Sequence, residues 1–167
     1  GHGRLAAYGA SLANILRATG HNVTEEYYVN DAGRQMDILA LSVWLRYADL
    51  AGATLGFPSN GYQGDYIRKI ATGLFESQAD ALMTDTAALG TVLADEGLEP
   101  DALLDKLIGA LRSQLGDERF DTVLLAALNS VLEDIKDDLG DFGVLHQNWY
   151  SESSLMEGPI DRALKVL

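Results

Sequence analysis

The chain has 167 residues, 12 Lys and Arg against 25 Asp and Glu, a formal net charge of −13, and 47% hydrophobic and 22% charged residues. That is a globular mixture rather than a disordered one, and it is long enough for one domain, or one with an appended subdomain, around a real core. The absence of cysteine excludes disulfides, thiolate metal sites and a cysteine nucleophile, and no apolar run approaches the roughly 18–20 residues of a bilayer span.

Leu5, Tyr8, Leu12, Ile15 and Leu16 recur at helical spacing, and Gly20 supplies a stop. Val23 to Val29 then alternates, with Val23, Glu25, Tyr27 and Val29 on one face, in residue types that suit a strand. Asn30 or Asp31 can cap the next helix, whose apolar stripe is Ile38, Leu41, Leu45 and Ala48. The run Gly56-Phe57-Pro58-Ser59-Asn60-Gly61 breaks it, and another helix starts near Gln63 with Tyr66, Ile67, Ile70 and Leu74 inward. Leu82, Leu89 and Leu93 lead to a break at Gly97–Pro100. Two further helices follow, Leu103–Leu111 ending near Gly116 and Phe120–Ile135 ending at Gly140. The tail carries a short strand, Val144–Tyr150, and a last helix with Pro159 in its first turn.

The charge is concentrated. Residues 1–75 hold six acids and six bases, residues 76–143 hold sixteen acids and four bases, and residues 144–167 hold three acids and two bases. Nine of the thirteen aromatic residues precede residue 76. Two compositionally different segments and a tail that resembles the first predict three parts: 1–75, an acidic helical block 76–143, and 144–167. The block's charge reads first as a solvated face, and second as a contact surface for a partner. The overall acidity argues against this chain alone gripping nucleic-acid phosphates, and the expected location is the cytoplasm.

Gly1-His2-Gly3-Arg4 opens directly onto a helical pattern, with neither a strand nor a methionine before it. A tag remnant is one reading, and a chain cut from something larger is the other. Helix N-termini present free N–H groups and a partial positive charge, so glycines and a histidine there suit phosphate. His21 and His146 have no metal-ligand spacing, no Ser/His/Asp nucleophile elbow occurs, and no metal site is predicted. Trp149 reads as a packing anchor, and Tyr27 and Tyr28 as strand-packing residues ahead of ligand contacts. Asp31 suits a helix cap.

Gly1-His2-Gly3-Arg4-Leu5-Ala6-Ala7-Tyr8-Gly9, Leu16 to Val23 and Tyr27 to Gln35 form one set of blocks; Trp149-Tyr150-Ser151-Glu152-x-Ser154-Leu155 and Gly158-x-Ile160-Asp161-Arg162-Ala163-Leu164 form another. Together they resemble the catalytic domain of bacterial arginyl-tRNA synthetases, class I enzymes whose His-x-Gly-His signature here retains only Gly1-His2. Leu5, Ser11 and Ser153 depart from the pattern, where a glycine, an acid and an arginine are usual. The resemblance covers about residues 1–75 and 144–167. It implies an α/β fold that is predominantly helical in this fragment, a partial Rossmann-type half interrupted by a helical insertion.

The resemblance also implies a function. The parent enzyme activates arginine with ATP and Mg²⁺ and transfers it to tRNA(Arg), with no tightly bound cofactor. His2 is then the catalytic residue facing the triphosphate, Gly1, His2 and Gly3 bind ATP, and Tyr27, Asp31, Gly33 and Gln35 line the arginine and adenylate pocket. The fragment lacks the second Rossmann half, the Lys-Met-Ser-Lys type loop and the anticodon-binding domain, so it is expected to be inactive by itself. A lost neighbour of the Val23–Val29 strand predicts self-association through the exposed edge. The competing reading from another class is a non-catalytic acidic helical interaction module.

Overall fold

The computed structural model describes residues 2–95, 97–156 and 158–166, the side chains of His2 and Asp161 excepted. In chain order the elements are α1 (His2–Ala18), β1 (Glu26–Val29), α2 (Arg34–Leu50), α3 (Asp65–Gln78), α4 (Ala87–Leu93), α5 (Pro100–Leu115), α6 (Asp117–Asp141), β2 (Asn148–Ser151), α7 (Ser153–Met156) and α8 (Pro159–Leu164). The α/β, mainly helical composition is as expected. Both strands are shorter than the sequence pattern suggests. Residues 23–25 and 144–147 lie outside the ladder, although Gln147 and Asn148 still donate their N–H groups to the Glu25 carbonyl.

The chain packs as two units, Gly1–Ala32 with Leu132–Leu167, and Gly33–Val131. The step in acidity at residue 76 falls inside the second unit, because charge density follows the solvated face and packing follows the apolar stripes.

In the second unit α2 is the central element. Ile38–Leu45, Tyr47 and Ala48 are all buried, so the helix is covered all round rather than along the single stripe its spacing suggests. The surrounding faces come from Ile67, Ile70, Ala71 and Leu74 of α3, Leu104, Leu107, Ile108 and Leu111 of α5, and Phe120, Val123 and Ala127 of α6. A helix buried on every side must satisfy its polar atoms internally. The Trp44 indole N–H donates to the Leu82 carbonyl at 2.9 Å. The Tyr47 hydroxyl donates to the Ala79 carbonyl and accepts the Leu82 N–H. Ser42 Oγ donates to the Ile38 carbonyl and accepts the Tyr62 N–H.

Pro100 begins α5, where its missing N–H costs nothing. Every acid of the 76–143 stretch whose side chain is described is exposed. Two arginines bind part of that charge: Arg34 reaches Asp101 and Asp105, and Arg112 pairs with Asp37 and Asp117 while lying over the Phe120 ring. Burial opposes the charge on Arg112, but the hydrogen bonds and charges of its two carboxylates outweigh burial and raise its pKa.

In the first unit β1 and β2 pair in parallel with Glu26 opposite Asn148, Tyr27 opposite Trp149, Tyr28 opposite Tyr150 and Val29 opposite Ser151. The Tyr27 and Trp149 rings stack at 4.5 Å, and the His146 ring meets both edge-on. Lys136 lies 5.0 Å from the Trp149 ring centroid.

Removing the fully buried Leu107 side chain deletes contacts at the centre of the second unit. Leu107→Ala is expected to cost about 2–5 kcal/mol, and Asp121→Ala, on the exposed face, within about 0.5 kcal/mol. Urea titration followed by circular dichroism measures both.

Candidate functional site

Parallel strands bring their carboxyl ends to the same end of the sheet, and ligands of α/β sheets gather there. In the first unit those ends are Val29 to Asp31 and Ser151 to Ser154. The Glu152 N–H donates to the Val29 carbonyl at 3.0 Å and continues the ladder one residue past β2.

Asp31 does not cap α2. The N-cap of that helix is Gly33, at φ 81, with no side-chain hydrogen bond to the cap. A non-glycine residue is strained at that φ, which accounts for glycine there. The Asp31 carboxylate instead reaches across to β2: Oδ2 accepts from Ser151 Oγ at 2.6 Å and from Ser153 Oγ at 3.3 Å, and Oδ1 accepts from the Ser153 N–H at 2.8 Å. Desolvation pushes its pKa up, but the bonds from Ser151 and Ser153 together prevail and hold it below the ordinary carboxylate value. Ser153, one of the three departures from the family pattern, thus supplies two of the three donors.

Glu152 is half-buried and forms no ion pair among the described residues. Beside it the Tyr28 phenol is raised above its ordinary value, first by desolvation and then by the Glu152 charge and hydrogen bond. Glu152 is a fixed position of the Trp149–Leu155 block that carries the resemblance, but its residue type and spacing gave it no role of its own.

Of the other residues expected at the site, Gly1 and the His2 side chain lie outside the described residues. The His2 backbone begins α1. Gly3 is in α1, and a Cβ built there would meet nothing within 4 Å. Gly3 also borders an open cavity of about 830 Å³, formed with Leu5, Gly9, Tyr27, Phe142 and His146. Tyr27 combines that position with its stack on Trp149, so the strand-packing reading describes its geometry. His146 is no ordinary polar position: its Nδ1 is buried without a partner among the described residues, and its ring sits in the aromatic cluster. Gly33 and Gln35 belong to the second unit, where Gln35 Oε1 accepts the Tyr62 hydroxyl proton at 2.6 Å. Tyr27 and Asp31 belong to the first. Among the described residues no group of three or more His, Asp or Glu side chains is placed to hold a metal ion.

No protein-family model matches the chain. Along its whole length it is 49% identical to the arginine–tRNA ligase of Hydrogenovibrio crunogenus, 47% to that of Legionella pneumophila strain Corby and 51% to that of Acidithiobacillus ferrooxidans. Each match takes in 100% of this chain and 29% or 30% of the relative, so the chain spans about 30% of the length of the curated relatives it matches. Among solved structures it is similar to a putative arginyl-tRNA synthetase from Campylobacter jejuni. The TM-score is 0.61 at 24% identity, over 99% of this chain and 30% of that one, a likeness of fold.

Because the Asp31 pKa is lowered by folding, its carboxylate contributes stability that is complete above the unfolded carboxyl pKa near 4 and is lost as pH falls through the folded value. Asp31→Asn is therefore expected to destabilise the chain by a constant amount from pH 7 to pH 5. The difference from wild type should shrink on further acidification, as measured by urea titration at each pH.

Proposed function

We propose, from the membership of this chain in the arginyl-tRNA synthetase family, that it supplies part of the ATP and arginine sites of an arginine–tRNA ligase. The observation that carries this reading is the match of the whole chain to ligases at 47–51% identity. The parent activates arginine: an arginine carboxylate oxygen attacks the α-phosphorus of ATP, the bond to the bridging oxygen of the β-phosphate breaks, and pyrophosphate leaves. The adenylate then passes its arginyl group to the 3′ end of tRNA(Arg). Mg²⁺ enters with ATP as part of the substrate. Such a reaction needs positioning and charge stabilisation more than a covalent intermediate.

In this reading Gly1, His2 and Gly3 receive the nucleotide, with His2 stabilising charge on the phosphates as the bond to the leaving group breaks. The open space over Gly3 leaves room for close approach. The Tyr27–Gln35 segment borders the arginine and adenylate pocket. A guanidinium calls for a carboxylate with open acceptor positions. At the carboxyl ends of β1 and β2 that carboxylate is Glu152, because Asp31 is already occupied by serine donors. No helix among the described residues is long and apolar enough to cross a membrane, and a role in translation places the parent in the cytoplasm.

The chain alone is expected to show no arginine-dependent ATP–pyrophosphate exchange, with or without tRNA. A Legionella ligase whose matching segment is replaced by residues 1–167 is expected to charge tRNA. His2→Ala in that chimera is expected to lower kcat on the order of 100-fold with little change in the arginine KM. A folded chimera unable to form arginyl-adenylate overturns the reading and leaves the acidic interaction module in its place.

Self-association belongs to the same proposal. A two-stranded sheet is marginal by itself, and its outer strand edges carry unpaired backbone groups. Nearby, α1 exposes Leu5, Tyr8 and Ile15 at 71%, 68% and 62%. The occupant we assign in the isolated chain is a second copy. Light scattering is expected to give a mass above the monomer that rises with concentration, and a strictly monomeric mass would count against it.

A further inference from the structure

Asp31 and Glu152 stand at the ends of neighbouring parallel strands, yet their carboxylates are in opposite situations. Three donors converge on Asp31, and a carboxylate has about four acceptor positions. Its remaining capacity is small, and the donors are neutral groups of the chain itself. The hydrogens can be followed one by one. Ser151 Oγ has a single proton, which goes to Asp31 Oδ2 at 2.6 Å. Ser153 Oγ lies 2.8 Å from Ser151 Oγ and 3.3 Å from Asp31 Oδ2, so its proton goes mainly to the serine. Ser151 Oγ has its lone pairs free to accept it, and the Ser154 N–H lies at 3.4 Å as a second donor. Ser154 Oγ closes the turn by donating to the Ser151 carbonyl at 2.6 Å. The result is a directed chain, Ser153 to Ser151 to Asp31, with the Ser153 N–H as a second attachment.

Those attachments fall on residues 151 and 153, on either side of Glu152. The Glu152 N–H is itself bound to the Val29 carbonyl. Three consecutive residues are thus tied to the end of β1, two of them through one side chain. Among the described residues the Glu152 carboxylate has no ion-pair partner.

We propose that Asp31 is a positioning residue and makes no contact with the cationic substrate. Its carboxylate, through Ser151 and Ser153, fixes the turn that aims Glu152 at the arginine guanidinium. This rests on the ligase reading above. It differs from the simpler view in which Asp31 pairs with arginine directly, and it assigns function to Ser151, inside the Trp149–Leu155 block, and to Ser153, where the family pattern has an arginine. A guanidinium spanning both Asp31 oxygens would compete with the Ser151 hydroxyl and the Ser153 N–H already bound there.

The test uses the chimeric ligase carrying residues 1–167 and reads arginine KM, ATP KM and kcat separately. The double variant Ser151→Ala/Ser153→Ala is expected to raise the arginine KM about tenfold, with the ATP KM unchanged. Asp31→Asn is expected to do the same, and the triple variant no more than either. Glu152→Gln should raise it at least as far and make Asp31→Asn silent when the two are combined. Ser151→Thr/Ser153→Thr, which keeps both hydroxyls, is expected to restore the wild-type value.

An Asp31→Asn effect on the arginine KM that persists in the Glu152→Gln background makes Asp31 a direct contact and overturns the proposal. An unchanged arginine KM in every Asp31 and serine variant does so as well. Failure of the unsubstituted chimera to activate arginine is a different result, because it removes the ligase reading itself. Amide exchange in the 167-residue chain gives an independent arm. The Ser153 N–H is expected to exchange about tenfold or more slowly in wild type than in Asp31→Ala, and equal rates overturn the attachment.

Discussion

Parallel pairing of two short strands far apart in sequence is the constraint on which the rest of the first unit depends. Just before the ladder, the Glu25 N–H donates to the Gln147 side chain, joining residues 122 positions apart. Parallel strands cannot be joined by a tight turn, and the crossover between them has to leave the sheet and return to the same edge. Here the crossover is long enough to contain a packed unit with its own buried helix, so its folding does not draw on the sheet for a core. Closing so long an excursion carries an entropic cost that four paired residues meet poorly. The extra bonds clustered at both ends of the ladder, from Gln147 at one end and from Ser151 and Ser153 at the other, add to them where strands would otherwise fray.

The helices were legible because their signals are local. The Leu104, Leu107 and Leu111 spacing gives α5, Pro100 and Gly116 bound it, and the long stripe from Phe120 gives α6. What the stripes hid was depth. α2 reads as an amphipathic helix by its apolar residues, yet Ser42 lies buried among them because its hydroxyl is used twice within the chain. Strand limits were less legible, since Val23 and Glu25 continue an alternation whose pairing partner stops earlier.

The site was legible only where its chemistry is local. Residue type offered Asp31 the role of a helix cap, and the resemblance that of a cation partner. Neither describes what the carboxylate touches, because its partners lie 120 and 122 positions away. No periodicity or short motif carries information over that separation. Glu152 was named in the Trp149–Leu155 block without a role for the complementary reason: what distinguishes it is the absence of an ion-pair partner among the described residues, a property of its surroundings and not of its spacing.

The chain's two tryptophans are divided between the two units. Trp44 is fully enclosed, with its indole proton held by a carbonyl. Trp149 lies partly open, stacked on a tyrosine with an ammonium group over its ring and an imidazole at its edge. One indole is set for short-wavelength emission and the other for quenching by its neighbours. The molecule therefore carries two optical reporters of different colour and yield, one for each unit, without any label having to be introduced.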